Sequence, residues 1–216
     1  MENIVLVGSG GCMRELLWQI EEANKRLPRY TVLGYVDLVE DLAMDAVGHC
    51  KYLGDDEYLV NLPMKTGVVL CIGSPNKRQQ LVSMYKKNPN LYFPKIILSD
   101  EGMAPDYTMG EGSIISRDCT ISTNVTIGNF VFINIGSIVC HDCVIGDYST
   151  LAPRVTLCGN VEVGNSTYVG ASATVKQGIN IGSDVMVGAG AVVVDDIDND
   201  LTVVGVPARE MEQKAY

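Results

Sequence analysis

The chain has 216 residues, a net charge of −10 and a composition that is 47% hydrophobic and 19% charged. The acidic balance excludes a nucleic-acid surface, which needs clustered cations, and no apolar run reaches the ~20 residues of a membrane span. Seven cysteines scattered through apolar segments, and a start without the basic residues of a signal peptide, predict a cytoplasmic protein with free thiols.

The first hundred residues alternate between strand and helix patterns. Strands are predicted over 3–7, 31–36 and 67–72, and helices over 12–26 and 75–87. A glycine-rich turn at 8–11 separates the first strand from the first helix, and Asp37 ends the second strand. This order is half of a dinucleotide-type fold, in which N–H groups at the helix start hold phosphate and the acid contacts ribose or base.

The glycine turn leaves two interpretations open. It lacks the full G-x-G-x-x-G spacing because Met13 occupies the sixth position, so a purely structural turn is one interpretation. The other is a phosphate site. Because a second βαβαβ half is missing, we expect that site to bind one nucleotide diphosphate and not NAD. Residues 1–96 are therefore predicted to form a small Rossmann-like domain.

From Ile97 onward an aliphatic residue occupies every sixth position. The run has no insertion and comprises Ile97, Met103, Met109, Ile115, Ile121, Ile127, Ile133, Val139, Ile145, Leu151, Leu157, Val163, Val169, Val175, Ile181, Val187 and Val193. Neither a helix period of 3.6 nor a strand period of two produces this pattern. Short strands joined by tight corners do, because three of them form one coil of a three-sided β-helix. Residues 97–216 are predicted to form this solenoid.

Glycines mark one edge of the predicted solenoid. They are Gly128, Gly146, Gly164 and Gly182, and each precedes a turn-forming residue. Because one three-sided coil spans three hexads, these four residues are expected to stack along a single corner. We attribute the stack to a left-handed backbone at that corner, which glycine adopts without strain.

His141 departs from the corner pattern. The repeat stacks it between Thr123 and Gly159 of the neighbouring coils, at a prism edge that a second prism could reach. An imidazole ordinarily titrates near pH ~6.5 and suits a general base in a transfer reaction. Gly159 would leave a notch beside this base, and its N–H could stabilise an oxyanion. The alternative interpretation is an incidental surface histidine.

Two cysteines flank this histidine and invite a metal interpretation. Cys140 and Cys143 form the sequence C-H-D-C, and thiolates and imidazoles are zinc ligands in general. Cys143 falls on an inward position of the prism, however, and side chains alternate across a strand, so it cannot easily reach the same point as His141. We therefore predict that the chain binds no metal.

Several segments together resemble one family. They are the opening VGSGGCMRE, the strand ends GYVDL and LCIGSPNKR, the link YFPKIILSD, the run NIGSIVCHDCVIGDYSTLAP, CGNVEVG and the closing VGVPAR. Over almost its whole length the chain is similar to the PglD- and NeuD-like sugar-nucleotide acetyltransferases of the left-handed β-helix superfamily. The resemblance implies an α/β Rossmann-like domain that holds the sugar nucleotide, followed by a left-handed parallel β-helix of hexapeptide repeats. It also implies a homotrimer with acetyl-CoA in the groove between adjacent prisms.

The resemblance implies roles for individual residues. His141 would be the general base and Asp142 would raise its basicity, although a solvated turn acid is the alternative for Asp142. Acetyl-CoA contacts are implied at Thr150, Ala171 and Ala189. Gly159 is added to this set by our own hypothesis, from its place beside His141. Asn134 would orient the acceptor. The implied sugar-nucleotide positions are Gly10, Gly11, Cys12, Asp37, Leu38, Gly73 and Asn76.

Three positions depart from the family pattern. Relatives commonly carry a histidine where this chain has Cys12 and a second aspartate where it has Leu38, and some carry a histidine at the position of Thr150. The first two departures leave the identity of the nucleotide and the sugar open. The residues with implied catalytic roles match the family.

The predicted function is acetyl-CoA-dependent N-acetylation of a nucleotide-linked amino sugar, of the UDP-4-amino-deoxy type, in bacterial glycan biosynthesis. The amine would attack the thioester directly, with His141 as base and with no metal. Two alternatives stay open. One is O-acetylation of a sugar such as a sialic acid by the same base, and the other is a non-catalytic trimer that binds a sugar nucleotide.

Overall fold

The computed structural model describes residues 1–39, 50–99 and 101–211. Contacts between Cα atoms divide the chain into two compact units, Met1–Leu98 and Ser99–Tyr216. The first unit combines strands with helices, and the second consists of short strands. Within the described residues, no helix is long and apolar enough to cross a membrane.

The first unit contains a five-stranded parallel sheet. Its strands are β1 (Glu2–Val7), β2 (Tyr30–Val36), β3 (Tyr52–Gly54), β4 (Thr66–Leu70) and β5 (Leu91–Tyr92), and its described helices are α1 (Gly11–Arg26), α2 (Asp56–Val60) and α3 (Pro75–Tyr85). The strand order is β3-β2-β1-β4-β5 with every pair parallel. The three predicted strands and two predicted helices are present, whereas the prediction does not include the shorter elements β3, α2 and β5.

The order of the strands reverses direction at the centre of this sheet. From β1 the chain passes outward through β2 and β3, and then continues on the other side of β1 with β4 and β5. In open α/β sheets, ligands bind outside the carboxyl ends of the strands at such a switch point. The loops that meet this criterion are the glycine turn after β1 and the loop at 71–74 after β4.

Helix α1 begins at the glycine turn with its N-terminal N–H groups free of side-chain capping. Gly10 is the N-cap residue and provides no side chain to accept from them. Met13, Leu16 and Ile20, spaced three and four residues apart, are completely buried and anchor the helix. The sequence therefore fixes a helix whose positive dipole end stays available to an anion.

The second unit is a parallel β-solenoid with three faces. The first face contains β7 (Thr108–Met109), β10 (Thr126–Ile127), β13 (Val144–Ile145), β16 (Glu162–Val163) and β19 (Asn180–Ile181). The second contains β8 (Ile114–Ile115), β11 (Phe132–Ile133), β14 (Thr150–Leu151), β17 (Tyr168–Val169), β20 (Met186–Val187) and β22 (Thr202–Val204). The third contains β9 (Thr120–Ile121), β12 (Ile138–Val139), β15 (Thr156–Leu157), β18 (Thr174–Val175) and β21 (Val192–Val193). β6 (Ile96–Ile97) precedes the solenoid, and β23 (Arg209–Glu210) pairs with β22 in antiparallel fashion.

The hexad aliphatics form the interior of the solenoid. From Ile115 to Val193 each is at most 3% exposed. The small and β-branched residues two positions earlier are also buried, among them Cys119, Val155 and Ala173. Successive coils pair in register, as Val139 with Leu157. The hexad pattern thus predicted the core of this unit correctly, because the aliphatic residue and the small residue two positions before it fill each face of so narrow a prism.

Two edges of the prism carry the residues of interest. The 2–3 edge, between the second and third faces, comprises the corners at 134–137, 152–155, 170–173 and 188–191. The 3–1 edge, between the third and first faces, comprises the corners at 122–125, 140–143, 158–161 and 176–179. On the 3–1 edge the third corner residue has a left-handed backbone, with φ of 54° at Asn124, 61° at Asp142 and 56° at Asn160.

The glycine stack is present, but its predicted cause is wrong. The four glycines are Gly128, Gly146, Gly164 and Gly182, and none has a left-handed backbone. The left-handed residue lies two positions later, as at Phe130 with φ of 55°. Close approach of the coils explains the glycines instead, because a Cβ on Gly128 would lie 2.8 Å from the backbone nitrogen of Asp147.

Candidate active site

The 3–1 edge carries a hydrogen-bonded chain of three side chains. The Nδ1 atom of His141 lies 2.7 Å from Oδ2 of Asp142. The other carboxylate oxygen, Oδ1, accepts a hydrogen bond of 2.7 Å from Nδ2 of Asn124, one coil earlier. The His141 and Asp142 side chains are 49% and 41% exposed, so a second molecule can reach them.

The hydrogen bonds define which imidazole nitrogen can act as a base. The amide of Asn124 and then the imidazole of His141 lower the pKa of Asp142 from its usual value, so this carboxyl is ionised and can only accept hydrogen bonds. In neutral His141 the proton therefore belongs on Nδ1, and Nε2 presents a lone pair. This is the arrangement that general-base catalysis requires.

Gly159 lies directly beneath the imidazole on the next coil. A Cβ built on Gly159 would collide with Cε1 and Nε2 of His141. The ring therefore occupies the space that any larger residue at 159 would fill. The backbone of the same coil also holds the histidine, since the N–H of Asn160 donates to the carbonyl of His141 at 2.9 Å. The imidazole ring therefore occupies the predicted notch at Gly159. The notch determines where the ring lies along the 3–1 edge.

The other solenoid positions implied by the resemblance lie away from His141. Ala171 and Ala189 follow one another on the 2–3 edge, where both are accessible, and Asn134 is on that edge as well. The Oδ1 atom of Asn134 accepts from the N–H of Ile135 at 2.7 Å. Thr150 is on the second face and only 2% exposed. Within one chain, the implied acetyl-CoA residues are therefore divided between two edges of the prism.

The first unit has a small cavity at the carboxyl ends of its central strands. It has a volume of about 70 Å³ and is lined by Val7, Gly8, Asp37, Leu38, Asp56, Ile72, Lys77 and Leu81. This volume can hold only part of a nucleotide. The adjacent surface is open, because a Cβ on Gly10 or Gly73 would meet no atom within 4 Å. The sequence-predicted positions around the glycine turn and the loop after β4 thus share one end of the sheet.

Both carboxylate oxygens of Asp37 accept hydrogen bonds from within the chain. Its Oδ2 accepts from the hydroxyl of Ser9 at 2.7 Å, and its Oδ1 accepts from the N–H of Leu38 at 2.7 Å. These bonds tie the end of β2 to the glycine turn, so Asp37 shapes the cavity in addition to lining it. Leu38 is 69% exposed.

Arg78 is a buried cation in the same region that sequence reasoning missed. It is 2% exposed, and its Nη1 donates to the carbonyls of Ile72 at 2.8 Å and Gly73 at 3.0 Å.

Burial raises the pKa of the Cys12 thiol to about 11, with Glu15 acting in the same direction and Arg78 opposing it. Cys12 is therefore a neutral thiol, and the exposed Asn76 lies in the first turn of α3.

Within the described residues, no group of three or more histidine, cysteine, aspartate or glutamate side chains is arranged to hold a metal ion. All seven cysteines are free thiols. Cys143, the inward residue of the C-H-D-C sequence, is completely buried, and its Sγ contacts the carbonyl of Cys158 at 3.1 Å. It therefore points away from the exposed edge that carries His141.

A profile for the bacterial transferase hexapeptide family (six repeats) matches residues 124–159, which include His141, Asp142 and Gly159. The GDP-perosamine N-acetyltransferase of Escherichia coli O157:H7 is 46% identical over 61 residues. That segment spans 28% of this chain and 28% of the relative.

Solved structures match both units. PerB from Caulobacter crescentus, in complex with CoA and GDP-perosamine, is 29% identical with a TM-score of 0.83, and the match covers 98% of each chain. The acetyltransferase domain of PglB from Neisseria gonorrhoeae, in complex with acetyl coenzyme A, has a TM-score of 0.86 at 24% identity. That match covers 97% of this chain and 99% of the domain, and it shows the fold alone. The predicted fold, a Rossmann-like domain followed by a left-handed β-helix, is confirmed.

Proposed function

We propose that the chain is an acetyl-CoA-dependent N-acetyltransferase that acts on a nucleotide-linked amino sugar. The observation that carries the proposal is the exposed imidazole of His141, held by Asp142 through Nδ1 and seated on Gly159. Such a base serves an acceptor and a donor that both approach from outside the prism. Two of the matched proteins support the reaction class, because one is a GDP-perosamine N-acetyltransferase and PerB was solved with CoA and GDP-perosamine.

The chemistry follows from the free lone pair on Nε2 of His141. The amine nitrogen of the sugar attacks the thioester carbonyl carbon, and Nε2 removes a proton from that nitrogen. When the tetrahedral intermediate collapses, the carbon–sulfur bond breaks and the proton passes to the departing sulfur. The products are an amide and the free thiol of CoA. Asp142 stabilises the imidazolium that forms between the two proton transfers.

The Gly159 amide is the proposed donor to the oxyanion of the intermediate. In the described part of the chain its N–H has no hydrogen-bond acceptor, whereas the N–H of the preceding Cys158 donates to Val175 at 3.1 Å. A free backbone donor next to the base is what a developing oxyanion requires. A complex in which the thioester oxygen lies far from this N–H would refute the role.

The site is proposed to form between copies of the chain. His141 and Gly159 are on the 3–1 edge, whereas Ala171 and Ala189 are on the 2–3 edge, so one prism cannot present both to one acetyl-CoA. Three-fold association brings the 3–1 edge of one prism to the 2–3 edge of the next. Ile138 on the third face and Val144 on the first are each 41% exposed, which leaves apolar surface beside the 3–1 edge for such a contact.

We expect the mass in solution to be that of a trimer, measured by light scattering at micromolar concentration. Replacing Ala171 with Trp on the 2–3 edge should abolish activity, because a bulky side chain fills the groove between prisms. A monomeric mass with full activity would refute the shared site.

The first unit is proposed to bind the nucleotide diphosphate of the acceptor. Gly10 and Gly11 at the open N-terminus of α1 would hold phosphate through backbone N–H groups. Cys12, Asp37, Leu38, Gly73 and Asn76 are proposed to complete the sugar-nucleotide surface. Because the matched relatives are named for GDP-perosamine, or were solved with it, a GDP-linked amino sugar becomes the first acceptor to test, before the UDP-linked class.

The test measures thiol release from acetyl-CoA with GDP-, UDP- and dTDP-linked amino sugars, for the wild type and for His141→Ala. We expect turnover on at least one amino sugar and its loss in the variant. Folding provides the control: His141 is an edge residue, so the melting temperature should hardly change. A collapse of stability would mean that His141 is structural. No turnover with any acceptor, sugar hydroxyls included, would leave a binding protein.

A further inference from the structure

Asn124 is the first of the three hydrogen-bonded side chains on the 3–1 edge. Its Nδ2 donates to Oδ1 of Asp142 at 2.7 Å, and the backbone N–H of the same residue donates to Oδ2 of Asp106 at 3.2 Å. Asn124 is thereby fixed to the coil that precedes it and in turn holds the carboxylate of the coil that follows. All of these groups are at the surface, where a carboxylate without such a partner would rotate freely.

We propose that Asn124 is a positioning residue that acts on His141 through Asp142. The two carboxylate oxygens have different partners, with Oδ1 held by Asn124 and Oδ2 held by His141. Fixing Oδ1 therefore fixes the direction from which Oδ2 accepts the Nδ1 proton. That in turn selects the tautomer with a free Nε2 lone pair. The catalytic consequence rests on the function proposed above.

The lowered pKa of Asp142 agrees with this role. The hydrogen bond from Asn124 is the largest cause of the lowered pKa of Asp142, ahead of the hydrogen bond from His141. The amide therefore favours the ionised carboxylate, which cannot donate to the imidazole. Asn124 acts on the charge state of Asp142 as well as on its orientation.

The solenoid supplies a matched control one coil later. Asn160 is stacked on the opposite side of Asp142, is exposed, and has φ of 56° against 54° for Asn124. In the described residues its side chain makes no hydrogen bond, and only its backbone N–H does, to the carbonyl of His141. The two asparagines are thus alike in residue type, backbone and distance along the repeat. They differ in the contact to Asp142.

The experiment compares Asn124→Asp with Asn160→Asp. Each change is isosteric, suits a left-handed backbone and places one negative charge a coil away from Asp142. Only the first removes the donor. We expect Asn124→Asp to lower kcat about tenfold or more with KM for both substrates unchanged, the scale for losing a hydrogen bond to a charged group. Asn160→Asp should stay within about twofold of the wild type. Asn124→Gly, which removes the donor without adding charge, should behave like Asn124→Asp.

A spectroscopic measurement separates positioning from stability. The chain has two histidines, so the imidazole ¹⁵N signals are few and His141 is assigned by its loss in His141→Ala. At about pH 8, where an ordinary imidazole is neutral, we expect the Nδ1-protonated tautomer in the wild type and in Asn160→Asp. In Asn124→Asp and Asn124→Gly a mixture of tautomers should appear.

Unchanged tautomer and kcat in the Asn124 variants would overturn the proposal. Equal losses in the Asn124 and Asn160 variants would also overturn it, because charge alone would then explain them. If the wild type transfers acetyl to no acceptor, the function proposed above fails. The ¹⁵N spectra would still decide whether Asn124 controls the imidazole through Asp142.

Discussion

The candidate functional residues of the two units are recognised in opposite ways. The solenoid repeats one coil, so almost every residue on an edge has counterparts one coil before and after it. A residue that differs from its counterparts is therefore conspicuous, as His141 is between Thr123 and Gly159. The first unit uses each of its elements once. There the candidate residues are identified by topology, at the ends of β1 and β4 where the strand order reverses.

The comparison indicates that departures from the repeat occur in pairs. A large side chain at 141 can lie on the edge only because the residue stacked beneath it has no side chain. Neither departure is informative without the other, since glycines are common at corners for reasons of coil packing. In the first unit, two features also occur together. One is the open glycine turn, and the other is the buried Arg78, which donates to two carbonyls of the loop after β4.

Replacing Gly159 with Ala tests this pairing and should have the largest effect. The new methyl group would collide with the imidazole, which is at the end of a mobile side chain and can swing away. We expect kcat to fall about 100-fold, the scale of a displacement of ~1 Å in a catalytic group. The free energy of unfolding should change by less than about 1 kcal/mol. Steady-state kinetics and chemical denaturation measure the two effects.

The control for Gly159→Ala is the same change in a protein that already carries His141→Ala. Without the ring, the three atoms nearest to the added methyl group are gone, so the second substitution should be close to neutral for stability. A double-mutant cycle then reports the contact between the two positions. A fully active Gly159→Ala variant would show that the position of the imidazole over 159 does not matter.

The fold of both units was predictable because each part is specified by local patterns. One aliphatic residue per hexad specifies a face of the solenoid, and the strands and helices around the glycine turn are separately recognisable. The cause of the glycine stack at Gly128 and its counterparts was not predictable. It depends on the distance between coils, whereas the sequence shows only that a glycine recurs.

The site was predictable where one residue breaks a pattern and not where a contact crosses between coils or loops. His141 and Gly159 were found because the repeat places them next to each other. Asn124 was missed because asparagine is common at left-handed corners, and only the structure shows its amide on Asp142. Arg78 was missed for a similar reason, since a charged helix residue ordinarily predicts exposure and this one is 2% exposed.

Replacing Lys77 with Ala tests the other half of the comparison, the assignment of the nucleotide to the first unit. Lys77 lines the cavity beside Gly8 and Asp37 and is the exposed cation there. A charge-assisted contact to phosphate predicts that KM for the sugar nucleotide rises about tenfold. KM for acetyl-CoA should stay the same, because its implied contacts belong to the solenoid.

Lys87, exposed just beyond α3, provides the charge-matched control for Lys77. Lys87→Ala removes the same charge from the same unit away from the cavity and should leave both KM values unchanged. Equal effects of the two substitutions would point to the general field of the unit and not to a phosphate contact. An increase in KM for acetyl-CoA with Lys77→Ala would place the cofactor, and not the nucleotide, at this cavity.

The substitution Asp142→Asn should have the smallest effect of those considered, a change in thermal stability that depends on pH. The pKa of Asp142 is lowered in the folded protein by Asn124 and then by His141, so the carboxyl stabilises the fold above its unfolded pKa. That contribution is lost as the pH falls through the lowered folded pKa. We therefore expect the wild type to melt slightly above Asp142→Asn at about pH 7, and the gap to close as the pH falls below the lowered pKa of Asp142. Asp184→Asn is the control, because Asp184 also has a left-handed backbone (φ of 56°) and its side chain makes no hydrogen bond in the described part of the chain. A gap that persists at low pH would mean that Asp142 stabilises the edge by packing, in which case its hydrogen bonds contribute to orientation and not to folding.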